Sequence, residues 1–210
     1  MISELIECGG PVLVVIMVCA LLVLAVFLKK VFQLHRDEIN VQELLRGLIN
    51  VLQRDGLVEA LTLCDSTPGP AARLLSAAIL AYQRGDSDAD IRQAVDEAAL
   101  DELPKLERGV GLIGSIGFVL PLLGLLGTAY GMMGLIRFQE FSPSVIGGAV
   151  SMAVITTTAA LVVAIPCYLG HNYLVGRINA ITVDMEKAAL EITSFFSTRR
   201  AGKKNRNSDK

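Results

Sequence analysis

Residues 109–136 read GVGLIGSIGFVLPLLGLLGTAYGMMGLI and contain no charged residue and no histidine. About 20 consecutive apolar residues in a helix span the hydrocarbon core of a bilayer, so this stretch predicts a transmembrane helix. Two more uncharged stretches, Cys8 to Leu28 and Phe141 to Gly170, meet the same requirement. At 52% hydrophobic residues, the 210-residue chain is too apolar for an ordinary soluble domain. The sequence predicts an all-α integral membrane protein with three transmembrane helices.

The positive charges are distributed unevenly around these stretches. Of 19 Lys and Arg residues, none precedes the first stretch, ten lie from Lys29 to Arg108, one is Arg137 and eight follow the third stretch. Because Lys and Arg are retained on the cytoplasmic side, the N-terminus is predicted to be periplasmic and the C-terminus cytoplasmic. The first stretch lacks a basic leading region and a small-residue cleavage site, which favours a membrane anchor over a cleaved signal peptide.

These patterns divide the chain into eight predicted segments, each defined by its hydropathy and charge. They are a periplasmic N-terminus (1–10), transmembrane helix 1 (11–32), a cytoplasmic helical region (33–108), transmembrane helix 2 (109–136), a periplasmic loop (137–143), transmembrane helix 3 (144–170), a cytoplasmic helix (171–198) and a basic tail (199–210). The tail is predicted to be disordered because it is polar and has no apolar spacing.

The cytoplasmic region is predicted to contain three helices. Leucines at helical spacing indicate a helix from Leu34 to about Cys64, and Pro68-Gly69-Pro70 ends it. A second helix is predicted from about Ala71 to Arg84, and Ser87 or Asp88 is the predicted N-cap of a third. We expect these helices to pack on neighbouring subunits.

The titratable residues argue against an enzyme or a metal protein. The chain has two histidines and no Cys-x-x-Cys pair, and its four cysteines are dispersed over the predicted compartments. The glycines interrupt apolar helix and do not form a phosphate-binding loop between a strand and a helix. The sequence shows no serine, histidine and acid that could be assembled into a catalytic constellation. No catalytic activity, no cofactor and no nucleic-acid partner is therefore predicted.

Small residues form a stripe along the second transmembrane stretch, at intervals of three and four. The stripe contains Gly114, Gly117, Pro121, Gly124, Gly127, Gly131 and Gly134. Such stripes allow helices to approach closely, so Gly124, Gly127 and Gly131 are predicted packing positions. A pore lining or a surface for a partner helix remains an alternative. Pro121 and Pro166 each lack the backbone N–H that would donate a helix hydrogen bond. Each is interpreted as a tolerated kink in its helix, and a gate is the alternative.

Hydroxyl groups are the main polar groups in the stretches. Thr128 lies in the second stretch, and Thr156-Thr157-Thr158 lies in the third. Threonine in a membrane helix often bonds its own backbone, and an aqueous or partner-facing role is the alternative. Successive residues are about 100° apart on a helix, so three consecutive hydroxyls do not all face one neighbour. By the same geometry Ser151 shares a face with Thr158, whereas Thr157 points elsewhere.

Several motifs resemble the MotA/TolQ/ExbB proton channel family over nearly the whole chain except the tail. They are Glu102-Leu103-Pro104-Lys105-Leu106-Glu107-Arg108-Gly109, Pro121-Leu122-Leu123-Gly124-Leu125-Leu126-Gly127-Thr128, Gly131-Met132-Met133, Thr156-Thr157 with Ala164-Ile165-Pro166 and Asn172-Tyr173, and upstream Gly9-Gly10-Pro11 and Pro68-Gly69-Pro70-Ala71-Ala72-Arg73. The length and the three stretches favour the ExbB/TolQ branch over MotA.

This resemblance implies a stator subunit of a proton channel in the bacterial inner membrane. The family implies a homo-oligomer, a pentamer, that encloses an ExbD- or TolR-like single-span partner. That partner supplies an Asp that takes up and releases protons. The proton flow is expected to energise a TonB- or TolA-like protein and so to drive TonB-dependent outer-membrane transport. The alternatives are a TolQ-like subunit serving envelope integrity or gliding motility, and a membrane scaffold that does not conduct.

The resemblance also implies roles for particular residues. The pore-side threonines of the family correspond to Thr128 and Thr157, which are expected to face the partner carboxylate or its waters. Helical phase instead favours Thr158, which shares a face with Ser151, as the alternative to Thr157. Met152 stands where many members have Glu. Because a carboxylate in a bilayer is costly and marks proton relays, and these stretches contain none, the partner is expected to bring it.

Overall fold

The computed structural model describes the backbone of residues 2–37, 41–54, 56–138 and 142–208, which is helical apart from short connections. The helices are α1 (Ile2–Asp37), α2 (Val41–Gln53), α3 (Leu57–Ser66), α4 (Pro70–Arg84), α5 (Asp88–Glu107), α6 (Val110–Phe138) and α7 (Pro143–Ser208). Three helices are long and apolar enough to cross a membrane, and they contain most of the three uncharged stretches. The predicted all-α class with three spanning helices is confirmed.

The chain forms two compact units, each assembled from distant stretches of sequence. Met1–Val31 and Gly109–Val175 form one, called here the membrane unit. Phe32–Arg108 and Gly176–Lys210 form the other, called the extramembrane unit. The chain passes between them three times, and one passage is at Gly109, whose φ of 91° lies in the left-handed region that glycine adopts without a steric penalty. Pro104 lies inside α5, so the helix continues past the proline and ends at Glu107, two residues before this glycine.

The single helix predicted from Leu34 to Cys64 is wrong. α1 ends at Asp37, residues 38–40 lie outside the described residues, and an interruption separates α2 from α3. There the backbone N–H groups of Arg54 and Gly56 both donate to the Val51 carbonyl, at 3.1 and 3.2 Å, and close a turn. An Asp-Gly pair at positions 55 and 56 is a turn signal that outweighs the leucine spacing.

The other boundaries in this region follow local sequence signals. α4 begins at Pro70 and ends at Arg84, as predicted, and Gly85 follows with a φ of 85°. Ser87, rather than Asp88, caps α5. Its Oγ accepts from the Asp90 N–H at 3.3 Å, and the Asp90 carboxylate accepts from the Ser87 N–H at 3.1 Å. This reciprocal pair satisfies two of the donors that a helix start leaves free.

The disordered tail predicted for 199–210 is corrected, because α7 continues through most of it. Arg199 donates to the Leu52 carbonyl at 2.7 Å, and Arg200 donates to the Asp88 carboxylate at 2.8 Å. Basic residues that find acceptors in their own unit stabilise the helix that carries them. The predicted loop at 137–143 overlaps the ends of α6 and α7, and its residues 139–141 lie outside the described residues.

Glu102 is a buried carboxylate of the extramembrane unit, with a side chain 9% exposed. Arg73 Nη1 donates to both of its oxygens, at 2.8 and 2.7 Å, and Lys105 Nζ donates to Oε1 at 2.6 Å. Burial acts to raise the pKa of Glu102, but the hydrogen bonds and charges of Arg73 and Lys105 outweigh it and hold the pKa below its usual 4.5. The ion pairs therefore join α4 to α5 as long as Glu102 is ionised.

We expect Glu102→Gln to lower the free energy of unfolding at neutral pH by about 1 kcal/mol, because the cationic partners are largely exposed. A pKa lowered by folding adds stability above the unfolded value, and this stability is lost as the pH falls through the folded value. Wild type should therefore lose more stability below pH 4.5 than Glu102→Gln. Urea unfolding of the full chain followed by circular dichroism measures this.

Glu97→Gln is the control, since it removes an exposed carboxylate that is bonded to Gln93, and it should behave as wild type. Equal acid sensitivity in Glu102→Gln and wild type would contradict the expectation.

Candidate functional site

The glycine stripe of α6 lies against α7 within the membrane unit. A Cβ atom placed on Gly124 would lie 2.8 Å from Ala160 Cβ, and one on Gly131 would lie 3.1 Å from the Ala149 carbonyl oxygen. Real Cβ atoms essentially never approach as closely as 2.8 Å, and 3.1 Å is tighter than most Cβ contacts, so the absence of side chains allows the helices to lie this close. In this fold the stripe packs two helices of the same chain together.

Gly127 makes the tightest of these contacts. A Cβ there would lie 2.6 Å from Thr156 Oγ1 and 2.8 Å from Thr156 Cβ. Thr156 is completely buried, and its hydroxyl donates to the carbonyls of Met152 and Ala153, at 2.9 and 3.1 Å. Thr156 is thus a packing residue whose polar group is satisfied by its own helix.

This close approach brings Thr128 of α6 and Thr157 of α7 together. Their Oγ1 atoms lie 2.6 Å apart, and either one is able to donate to the other. Thr128 Oγ1 also reaches the carbonyl oxygens of Gly124, at 3.2 Å, and Ala153, at 3.4 Å. Thr157 Oγ1 reaches the same two carbonyls, at 3.2 and 3.0 Å. We call Thr128 and Thr157 the hydroxyl pair.

The hydroxyl pair has more hydrogen-bond acceptors within reach than protons to donate. Each hydroxyl carries one proton and two lone pairs. Rotation of both hydroxyl groups therefore exchanges the donor and the acceptor of the hydrogen bond between the two threonines. Both side chains are half-buried. The pair therefore suits a group that alternates between accepting and donating a hydrogen bond, as a carboxyl does when its protonation changes.

Thr158 and Ser151, the alternative from helical phase, are both exposed. Within the described part of the chain, no hydrogen bond joins either of them to the hydroxyl pair. The structure therefore brings Thr128 together with Thr157 and leaves Thr158 and Ser151 on another side of α7.

Met152 and the two prolines complete the predicted set. Met152 is half-buried, and its Cβ lies 3.8 Å from a Cβ placed on Gly131, so its thioether side chain starts beside the α6 contact. Pro121 lies half-buried inside α6 and Pro166 lies exposed inside α7, and both helices continue through them. No Asp or Glu occurs in residues 11–31, 109–133 or 142–175, the part of the membrane unit whose side chains are described.

His171 is a residue of this helix pair that the sequence analysis missed. Its Nδ1 lies 3.1 Å from the Val110 carbonyl oxygen at the start of α6. Its ring lies over Gly114, where a Cβ would come within 2.8 Å of Cε1. The sequence signal for His171 is its spacing from Thr157. The two residues are 14 positions apart, which is close to four full helical turns, so both lie near one face of α7.

Comparison with known proteins places this geometry in a family. Residues 66–187, which contain α6 and the first part of α7, match the MotA/TolQ/ExbB proton channel family. The chain belongs to the MotA/TolQ/ExbB family. Membership gives it a stator-type role in a proton channel and makes it a multi-pass membrane protein, in a transport family rather than an enzyme class.

Curated members of the family resemble the chain over most of its length. The biopolymer transport protein ExbB of Neisseria gonorrhoeae is 24% identical over 206 residues, covering 89% of this chain and 92% of the relative. A putative ExbB homolog of Methanothermobacter thermautotrophicus is 24% identical over 85% of this chain, which spans 64% of that relative's length. The Tol-Pal system protein TolQ of Haemophilus influenzae is 29% identical over 53% of this chain and 50% of its own length. The ExbB-like branch is confirmed.

Proposed function

We propose that this chain is the stator subunit of an inner-membrane proton channel that energises TonB-dependent outer-membrane transport through an ExbD- or TolR-like partner. The observation that carries the proposal is the hydroxyl pair, Thr128 and Thr157 at 2.6 Å, in a membrane unit that has no Asp or Glu in residues 11–31, 109–133 or 142–175. A channel for protons needs a group that takes up and releases them. Threonine hydroxyls do not ionise near neutral pH, so a partner must supply that group.

The chemistry of a partner Asp fits the hydroxyl pair. A charged carboxylate in a bilayer is costly unless it is paired or hydrogen-bonded. A threonine O–H donates to the ionised carboxylate, and a threonine lone pair accepts from the protonated acid. The pair therefore supports both states of the partner Asp, which uptake and release of a proton require.

We further propose that several copies, five in the family pattern, surround the partner helix. Apolar side chains of α6 that do not face α7 are well exposed in the single chain, among them Phe118 at 74% and Leu125 at 60%. Lipid or a neighbouring copy is expected to cover them. The uneven distribution of Lys and Arg supports a periplasmic N-terminus and a cytoplasmic C-terminus.

The relatives support TonB-type energisation over a TolQ-like role in envelope integrity or gliding motility. The gonococcal ExbB matches 89% of this chain, whereas the TolQ protein matches 53%. A scaffold without conduction is the remaining candidate, and it leaves the hydroxyl pair without a role.

Proton flux in liposomes tests the proposal. We expect the full chain alone to conduct no protons above protein-free liposomes, because its three uncharged stretches contain no acid or base to carry them. Co-reconstitution with an ExbD-like partner should open a flux that Asp→Asn in the partner span abolishes. A TolR-like partner, tested in parallel, distinguishes the two cargo systems. Flux from the chain alone that one of its own substitutions abolishes would contradict the proposal.

A further inference from the structure

His171 is a residue of the membrane unit to which the proposed function gives no role. Histidine is the side chain that ordinarily changes its charge between about pH 5 and pH 8. Residues 11–31, 109–133 and 142–175 contain no Asp or Glu, and their other titratable side chains are those of cysteine, tyrosine and lysine. Within those ranges, His171 is therefore the group best suited to take up and release protons near neutral pH.

The contact with α6 determines which ring nitrogen of His171 is available. A carbonyl oxygen only accepts hydrogen bonds, so Nδ1, 3.1 Å from the Val110 carbonyl oxygen, carries the ring proton and donates it. In a neutral imidazole the other nitrogen is then an acceptor without a proton. No hydrogen bond joins Nε2 to any residue in the described part of the chain. His171 therefore presents Nε2 as a basic nitrogen.

Gly114 fixes the orientation of this nitrogen. A Cβ placed on Gly114 would lie 2.8 Å from Cε1, 2.9 Å from Nδ1 and 3.0 Å from Nε2 of His171, so the face of the ring lies against α6. A side chain at position 114 would displace the ring. The ring is half-buried, which leaves part of it accessible. The glycine and the hydrogen bond together hold Nε2 in one direction, and a positioned acceptor is what proton transfer requires.

The charges around His171 favour release of a proton as well as its uptake. On α7, Cys167 and Tyr168 lie about one turn before it, and α6 has no titratable side chain at this end. α1, which packs on the residue before His171, brings Lys29 and Lys30. No carboxylate of the described membrane unit pairs with the ring. A proton on Nε2 is therefore not held by an ion pair and is able to leave.

His171 lies at an end of the membrane unit where the chain passes to the extramembrane unit. Its partner Val110 directly follows Gly109, which is one of these passages. Thr157 of the hydroxyl pair lies 14 positions earlier, about 21 Å along α7 and near the same face. In the orientation predicted from the Lys and Arg residues, this end is cytoplasmic. His171 thus lies at the cytoplasmic boundary of the helix pair that carries Thr157.

We propose that His171 is the group through which this subunit passes protons to the cytoplasmic water, a role that rests on the proposed function as a proton-channel stator. The lone pair of Nε2 accepts a proton from a protonated water molecule, and the ring becomes an imidazolium. The new N–H bond then breaks, and the proton returns to water on the cytoplasmic side. The Nδ1 proton remains on Nδ1 and is donated to the Val110 carbonyl throughout.

Proton flux through the full chain reconstituted with an ExbD-like partner tests this role. In His171→Asn the amide Nδ2 takes the place of Nδ1 and still donates to Val110, but the side chain takes up no proton. We expect this variant to fold as wild type and to lower the flux at least about tenfold, because a positioned proton acceptor contributes about 10²–10⁴-fold and water replaces part of it. Tyr168→Phe, which removes an exposed neighbouring hydroxyl, should conduct as wild type.

The pH dependence of the flux distinguishes proton transfer from helix packing. Lowering the pH on the cytoplasmic side at a constant pH difference should slow wild type more than His171→Asn, because an imidazolium releases its proton less readily into acid. Equal flux and equal pH dependence in wild type and His171→Asn would overturn the role of His171 alone. Absence of flux in the wild-type complex would overturn the proposed function, and this role with it.

Nitrogen-15 NMR of the full chain in lipid tests the site without a partner. The sequence has two histidines, so comparison with His171→Asn assigns the signals of His171. We expect the neutral ring to carry its proton on Nδ1, and the Nε2 signal to move to that of a protonated nitrogen on acidification. A neutral ring protonated on Nε2, or an Nε2 signal that does not respond to pH, would refute the assignment whatever the flux.

Discussion

Replacing Gly127 with leucine is expected to separate α6 from α7 and prevent the membrane unit from folding. Even a single Cβ at this position would lie 2.6 Å from Thr156 Oγ1. Thr156 has no room to move, because it is fully buried, β-branched and hydrogen-bonded to its own helix. Overpacking of this kind costs about 1–3 kcal/mol or more, and leucine adds three further carbons in the same contact.

Thermal unfolding in detergent and the yield of monodisperse protein measure this effect. Gly111→Leu is the matched control, since it lies in the same helix and a Cβ there has nothing within 4 Å. We expect Gly111→Leu to fold as wild type and Gly127→Leu to aggregate or unfold at a much lower temperature. Gly127→Ala should be intermediate. If Gly127→Leu were as stable as Gly111→Leu, the described contact between α6 and α7 would be wrong.

The glycine stripe was readable from the sequence because helical spacing alone determines which residues share a face. Which surface the stripe would meet was not readable, since a packing surface, a pore lining and a partner surface require the same spacing. The distances at Gly124 and Gly127 show that α7 of the same chain meets it.

Which of Thr157 and Thr158 faces the partner stays a prediction, and helical phase and the hydroxyl contact favour different residues. The phase argument took Ser151 as the marker of the functional face, on the assumption that polar residues share one side. The face of α7 that meets α6 is instead marked by small residues, Ala153 and Ala160, which flank Thr156 and Thr157 at helical spacing. Resemblance to the family, which pointed to Thr128 and Thr157, agrees with the hydroxyl contact.

Other features depend on contacts that no local pattern contains. His171 lies one residue beyond the uncharged stretch that ends at Gly170, so hydropathy placed it outside the span. In the basic tail, Arg199 and Arg200 donate to acceptors that lie more than 100 residues away in sequence. Charge composition predicted disorder there because it does not include such distant partners.

Thr157→Val is expected to leave the protein folded and to reduce proton flux through the reconstituted complex by at least about tenfold, the value of one hydrogen bond to a charged group. Valine keeps the branched shape and removes one hydroxyl. The fold should tolerate this, because the Ala153 and Gly124 carbonyls are also acceptors within their helices and the Thr128 hydroxyl still reaches Gly124 at 3.2 Å. The partner Asp, in contrast, would lose a donor in its ionised state.

The set of variants separates a hydrogen-bonding role from a packing role. Thr157→Ser keeps the hydroxyl and should restore most of the flux, although it packs less well than valine. Thr158→Val removes an exposed hydroxyl one residue away and should conduct as wild type. Thr128→Val should resemble Thr157→Val, and the double variant should be little worse than either, because one contact at 2.6 Å links both hydroxyls. Flux, thermal stability and co-purification with the partner are measured for each. Normal flux in both single valine variants, or an equal loss in Thr158→Val, would show that protons pass through this subunit without using the hydroxyl pair.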